Sequence, residues 1–525
     1  SQHFEDLARV LQPRRMGFSS TVIEGERRTD DIYDGTPMQA RRGLANSIGG
    51  MLRPQGLPEI KIKTEDDAIN EMEEARAWMA DSEIRLQKGF DNPHARFRQA
   101  SGEIDDDLVT FGTAMMFVGE SVSRKRLLFQ SLHLKDAVVA FDEEQRPDSM
   151  FHARLWSLRQ VAARFGDDKL SESNREKLKQ NPDEKINILH VVQPRQNGKP
   201  NALMAKFLPF EDLWFEVEAK HELSLGGFHE FPFIVPRWDT SSGENYGRSP
   251  GMIALPDADT LQAMGETILI AGQRGADPAL AVPNDGTFDA INTFPGGLSY
   301  YDLETAVAMG GNPFFTIPSG TNLPIARDMQ MDTREQIWAA FFRNVMNLPV
   351  EGPKMTATEV IARKEEFMRE MGPIFGRLES DYTAPMVERA FMVMLRGGAF
   401  LPIPKALQGQ DIRFEYDSPV KRIRMQIEAS AAKMWAEEML VLGQVKPEAI
   451  DLINVDELGR FAAEALSVPK KIVNSAEKVA ETRAARAQAQ AEQNQMAALS
   501  QVAEIAKTGA AADASMAKAG VQGVE

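Results

Sequence analysis

Cysteine is absent from this sequence, which excludes disulfides, thiolate catalysis and Cys-ligated metals. Histidine is scarce, with seven residues scattered along the chain. His221-Glu222 is not followed by a second His at the spacing of a zinc hydrolase. No GxSxG elbow and no GxxxxGK[ST] loop occurs, so neither an acyl-transfer nucleophile nor an ATP-driven motor is signalled. No apolar run approaches the ~20 residues that cross a bilayer. The N-terminal SQHFEDLARVLQPRR is charged from the outset and lacks a signal-peptide core, so the chain reads as soluble. Basic residues are the minority, 60 against 77 acidic, for a net charge of −17. That sign argues against a sequence-nonspecific DNA binder, whose affinity comes from phosphate neutralisation. Asp105, Asp106 and Asp107 could hold a cation, although a solvated acidic loop or helix start is the plainer reading.

What is present is length enough for about three or four domains. The first 250 residues mix helix and strand signals. Asp66 to Leu86 places Ile69, Met72, Arg76 and Met79 on one helix face. PEIKIKT, AMMFVGE, INILHVV and FEDLWFEV read as strands, and Lys169 to Lys185 as a loop or short surface helix.

Two amphipathic helices follow. The first spans Asp257 to Arg274, with Leu261, Met264, Ile268 and Ala271 at spacings of three and four and acidic residues at its positive end. The second spans Thr333 to Asn347, where Ile337, Phe341 and Val345 form a stripe widened by Trp338 and Phe342, and Asp332 and Glu335 take capping positions. Each is about 25 Å long. Between them Asp277 to Gln330 is dense in Gly and Pro, a compact insertion carried on a helical hairpin or, more plainly, a loop-rich insertion. Asn347 to Met355 is too rich in Pro and Gly for continuous helix. Thr356-x-x-Glu359 is a capping box opening a third, longer helix that Pro373 and Pro385 should interrupt. LINVDELGRFAAEAL suggests short helices, Asn474 to Lys507 is Ala/Gln/Glu/Arg-rich helix former, and the end from Thr508 reads as flexible.

A set of segments stands in a fixed order along the chain. It runs YDGTPMQARRGLANSIGGMLRP (Tyr33 to Pro54), FGTAMMFVGE (Phe111 to Glu120), RFGDDKL (Arg164 to Leu170), and a Pro-broken strand leading through YGRSP (Tyr246 to Pro250) to a helix opening at Asp257. DPALAVPNDG, PGGL, TATEVIARKEE, GPIFGRLESDYTAPMVERAF and FEYDSPVKRIRM (Phe414 to Met425) complete it. In that order the chain resembles the portal, or head-to-tail connector, of short-tailed, podovirus-like phages over roughly residues 29 to 425.

The resemblance implies an α+β, largely helical portal fold assembled as a cyclic ring. Its expected parts are a wing (1–250), a first stem helix (251–276), a clip (277–330), a second stem helix (331–346), a tunnel loop (347–355), a kinked long helix with a wing return strand (356–425), a crown (426–470), and a C-terminal helix (471–525) that forms a barrel or a flexible tail. Leu261, Ile268, Ile337, Phe341 and Val345 become contacts between stems. Pro349, Val350, Glu351, Gly352, Pro353 and Lys354 become the tunnel loop beside double-stranded DNA. No catalytic residue, metal or cofactor is implied. Implied partners are further copies in a ring of twelve, the terminase packaging motor, a tail adaptor, major capsid and scaffolding proteins, and internal ejection proteins, at the capsid vertex of a virion assembled in the host cytoplasm. A ring of such acidic chains would let DNA slide instead of sticking. The rival readings are an internal virion or scaffolding protein and a DNA-packaging enzyme.

Overall fold

A computed structural model describes residues 2–23, 25–53, 60–121, 126–199, 204–276, 280–281, 315–316, 323–346, 357–416 and 419–466, with shorter stretches to 494. Two compact units result, Ser1–Lys421 and Arg422–Glu525.

The first unit opens with helices α1 (Gln2–Leu11) and α2 (Thr36–Leu52), strand β1 (Ile60–Thr64), and helices α3 (Asp67–Glu71), α4 (Glu73–Asp91) and α5 (Phe97–Phe111). The single helix expected over Asp66 to Leu86 is thus split at Met72. Asn70 turns its amide to the end of β1, accepting from the Thr64 N–H at 2.8 Å and donating to the Thr64 carbonyl at 3.0 Å. Met72 goes extended as a result.

Strands β2 (Met115–Glu120), β3 (Leu127–Leu132), β4 (Ala137–Phe141) and β5 (Pro147–Ser157) come next, then α6 (Leu158–Phe165), α7 (Glu172–Gln180), β6 (Lys185–Pro194), β7 (Phe210–Glu216), β8 (His221–Phe228) and β9 (Phe233–Ile234). Strands β4 to β8 form a five-stranded antiparallel meander, while β3, β2 and β9 form a second antiparallel sheet. Each of the four segments with strand signals carries a strand, because period-two patterning is what a half-buried sheet requires. Helix α6 starts at a two-way capping box between Ser157 and Gln160. It seals one face of the meander, with Leu158 and Val161 packing on Ile186, Ile188, Trp214 and Leu223.

Helix α8 (Pro250–Ala276) begins seven residues before the expected opening at Asp257 and carries Pro256 inside it. Ser249 caps it by accepting from the Met252 N–H at 3.0 Å, and Pro250 sits where a missing N–H costs nothing. After the strand pair β10 (Leu280–Ala281) and β11 (Phe315–Thr316), α9 (Leu323–Ala340) starts ten residues before Thr333. Pro324 falls in its first turn, and Asp332 is therefore mid-helix instead of a cap. Phe342, left-handed at φ 57°, ends it and sends the chain into α10 (Arg343–Met346), so Thr333 to Asn347 is not one helix. The capping residue Thr356 lies outside the described residues, as does nearly all of the 277–322 insertion.

Helix α11 (Ala357–Leu378) runs uninterrupted through Pro373. A π-helical turn, Glu379–Thr383, joins it to α12 (Ala384–Arg396). The wider turn absorbs the hydrogen bond that Pro385 cannot make, so the irregularity falls before that proline. Strand β12 (Ile412–Tyr416) then pairs antiparallel with β1 over five residues, and α13 (Pro419–Val445) follows. In the second unit α14 (Val455–Ala465) and a helix over 478–491 are described, joined by the Arg483–Asp456 ion pair.

Candidate functional site

Helices α8 and α9 lie against each other, with α8 also resting on α1, α2 and α5. At 27 residues α8 is about 40 Å long, longer than its apolar periodicity alone suggests. Leu261, Ile337 and Phe341 are fully buried and Ile268 is half-buried. The side chain of Val345 lies outside the described residues, as do Pro349, Val350, Glu351, Gly352, Pro353 and Lys354. Leu261, Ile337 and Phe341 are covered within a single subunit, so their packing is first of all that of the subunit's own helix pair. The apolar side chains left open on the pair are others: Ile253, Leu269 and Ile270 on α8, and Ile325, Met329 and Met331 on α9. Asp257, Asp259, Glu266, Asp328, Asp332 and Glu335 stand against Arg274, Arg327 and Arg334, six acids to three bases, for a net −3 on the two helices.

Two sets of contacts fix this pair to the body, and a third braces α5, on which α8 rests. The first is made of backbone. Gly112 ends α5 at φ 76°, and a Cβ on Gly247 would come within 2.3 Å of the Gly112 carbonyl oxygen. The Gly247 N–H donates to Thr113 Oγ1 at 2.7 Å, and Ser249 Oγ donates to the Thr110 carbonyl at 2.8 Å. Gly251 also passes close, with a would-be Cβ 2.9 Å from the Thr110 oxygen. YGRSP is therefore the seat of α8. Among the described residues its Arg248 makes an ion pair only with the half-buried Glu244, four residues back, and Tyr246 meets Phe4 edge-on at 6.2 Å.

The second set centres on Asp34 in YDGTP. The N–H groups of Tyr33 and Asp34 both donate to Gln262 Oε1, at 2.8 and 2.9 Å, and Gln262 Nε2 donates back to the Asp34 carbonyl. The Asp34 carboxylate accepts from the Thr36 N–H at the start of α2 and takes Arg334 of α9 at 2.8 Å. Burial pulls this carboxyl upward, but Thr36 and Arg334 hold it below its ordinary value. Arg9 of α1 adds a 2.8 Å pair to Asp259.

The third set is the Asp105-Asp106-Asp107 row. It is neither a solvated loop nor a helix start but the middle of α5, and each carboxylate meets an arginine from a different place. Arg53 at the end of α2 bonds Asp105, Arg41 of α2 bonds Asp106 at 2.6 Å, and Arg15 bonds Asp107 at 2.9 Å. Successive helical positions point about 100° apart, so one tripeptide holds α2 at two points and the Arg15 turn at a third. Burial pushes Asp105 up to about 6 and Asp107 up to about 7, against the pull of their arginines. Among the described residues no group of His, Asp and Glu is arranged to hold a metal ion. Asp34, Gln262, Arg334, Arg15, Arg41 and Arg53 carry no periodic signal. The one available hint was three carboxylates flanked by Ile104 on one side and Leu108 and Val109 on the other, where burial would not tolerate unpaired charge.

The arrangement is a braced helix pair with open apolar sides. A family model described as "Bacteriophage head to tail connecting protein" matches residues 1–473. A "Probable portal protein" of Bordetella phage BPP-1 is 27% identical over 511 residues, 96% of this chain and 91% of that protein. The "Portal protein" of Salmonella phage epsilon15 is 26% identical over 499 residues, 94% and 89% respectively. Among solved structures, the virion of a native gene transfer agent particle aligns over 80% of this chain and 94% of its own, at 11% identity and a TM-score of 0.35.

Proposed function

The chain belongs to the bacteriophage head-to-tail connecting protein family as a structural portal subunit, and from that membership we propose that copies of it, twelve in the family's usual number, close a ring at the capsid vertex through which double-stranded DNA enters and leaves. The observation that carries the proposal is the match over residues 1–473, which takes in the seat of α8, the Asp34 bridge and the α8/α9 pair together. In this reading α8 and α9 are the stem. Contact between neighbouring stems falls to the open residues Ile253, Leu269, Ile270, Ile325, Met329 and Met331, and to the half-buried Ile268. The net −3 on the two helices keeps the bore acidic, so phosphates find few cations to hold them.

The motor and then the tail would dock at the far end of the stem, and capsid and scaffolding proteins around the ring. The chain would do no chemistry of its own. Images of the negatively stained, purified protein should show rings with a central hole. Monodisperse single subunits or open filaments would overturn the reading, and ATP hydrolysis or DNA cleavage by the rings would favour a packaging enzyme.

The connection 347–355 is proposed as a collar at the ring axis, with Lys354 its one positive charge. A ring of lysines holds DNA through single phosphate contacts. Lys354→Glu should leave assembly intact and lower genome retention in packaged particles. Retention equal to the parent would make the segment a plain connector.

A further inference from the structure

Strand β9 ends the sheet β3-β2-β9, and its pairing with β2 fixes which way its backbone points. The Val118 N–H donates to the Pro232 carbonyl at 2.9 Å, the Ala114 N–H to the Pro236 carbonyl at 3.2 Å, and the Trp238 N–H to the Gly112 carbonyl at 2.8 Å. In an antiparallel ladder such inward-bonded positions alternate with outward ones. Phe233, Val235 and Arg237 therefore turn their N–H and C=O groups away from β2, and among the described residues no backbone group meets them. Pro232 and Pro236 both stand at inward positions, so the free edge keeps its donors. Prolines on an edge strand more often take the outward positions and blunt the edge. Nor does this edge stand in open water, since Phe233, Ile234 and Val235 are 3%, 4% and 3% exposed. Buried backbone groups are nearly always paired.

The same three residues line a cleft of about 1210 Å³ between β9, α12 and β12. Phe231, Phe391, Met392 and Phe414 make its walls apolar. Arg237, 8% exposed, lines it with no hydrogen-bond partner for its Nε. Of the carboxylates in the lining, Glu230 is taken by Arg389 and Arg396, and Asp381 stands 3.6 Å from Arg237. Glu388 and Asp411 have no ion pair among the described residues.

We propose that this cleft takes an extended segment of a partner protein, with basic and apolar residues in alternation, which adds to the free edge of β9 as a fourth strand. Only a strand offers C=O and N–H groups at the two-residue period of Phe233, Val235 and Arg237. The apolar walls select its buried side chains, Glu388 and Asp411 select lysine or arginine, and the Arg237 Nε–H is left for an oxygen of the incoming chain. A chain of net charge −17 attracts a basic segment and repels its own copies. The site lies on the body of the subunit and does not depend on the ring proposed above.

The probe is the end-capped peptide Lys-Val-Lys-Val-Lys-Val-Lys, titrated into the full chain at physiological salt. It should bind, and hydrogen exchange over 232–238 read by mass spectrometry should show three further amides protected, those of Phe233, Val235 and Arg237. Lys-Pro-Lys-Pro-Lys-Pro-Lys keeps the charge but cannot pair with a strand, and should bind at least about tenfold more weakly. Glu388→Lys should weaken the first peptide by on the order of tenfold and strengthen its Glu-Val-Glu-Val-Glu-Val-Glu counterpart. No binding, or equal binding of the proline peptide, would overturn the proposal by leaving at most an attraction between surface charges. Three amides already protected in the free chain would overturn it too, by assigning the edge to the chain itself or to another copy.

Discussion

Gly247→Ala is expected to destabilise the subunit by more than about 3 kcal/mol, enough to remove much of the stability of an ordinary domain. The added Cβ would lie 2.3 Å from the Gly112 oxygen and 3.0 Å from the Asp239 oxygen, both backbone atoms with no rotamer to change. Relief requires α8 to lift from α5, which breaks the Gly247–Thr113 and Ser249–Thr110 hydrogen bonds. Gly272→Ala in the same helix meets nothing within 4 Å and should instead stabilise by up to ~1 kcal/mol through helix propensity. Urea denaturation of the two variants beside the parent checks both signs. A loss at Gly247 no larger than ordinary helix-start effects would show that α8 can be seated elsewhere.

Arg53→Ala should cost about 3–5 kcal/mol near neutral pH, because it leaves the Asp105 carboxylate buried without its cation. Arg53→Met combined with Asp105→Leu should recover most of that, since both charges leave together. The same row gives the parent a pH signature. In an unfolded chain aspartates titrate near 4, whereas in the folded subunit Asp105 is raised to about 6 and Asp107 to about 7. The folded state therefore binds more protons in that window. The stability these groups contribute is full below pH ~4 and is lost as pH rises through about 6 and 7. Asp107→Asn should flatten part of that slope in denaturation midpoints taken from pH 4 to 8. His133 and His152, each lowered to about 3 by burial, and the buried His190 slope the other way, losing stability as pH falls below about 6.5. The two effects are separated by subtracting the variant's profile from the parent's. An unchanged slope would mean that Asp107 is ionised throughout.

Elements whose pattern repeats over a few residues were legible in the chain. IKIKT and INILHVV alternate, and alternation is local information. Element ends were less so. Pro256 and the Asp257/Asp259 pair look like a helix start, but Ser249-Pro250 already provides a cap and a first-turn proline, and the longer helix wins because α1, α2 and α5 bury its first turns. Phe342 was invisible as a breaker, since only the surroundings can hold a phenylalanine in the left-handed region at about 1–2 kcal/mol. The long-range ion pairs that hold the helix pair and brace α5 were the least legible part. Arg53 finds Asp105 across 52 residues and Arg334 finds Asp34 across 300, and no spacing rule reaches that far. The ordered motifs located YDGTP and YGRSP, but only the structure shows that both are seats of the same two helices.

The touching of Gly112 and Gly247 also decides how stiff the subunit is. Most element contacts in proteins pass through side chains, whose rotamers let one element shift slightly before the other responds. Here the main chain of α5 bears on the main chain that starts α8, with no side-chain cushion between them. A torque or axial push at the far end of α8 reaches α5, and through Asp105 to Asp107 the rest of the body, with almost no slack. The helix pair and the body should therefore turn together as one lever whenever something grips the outer end.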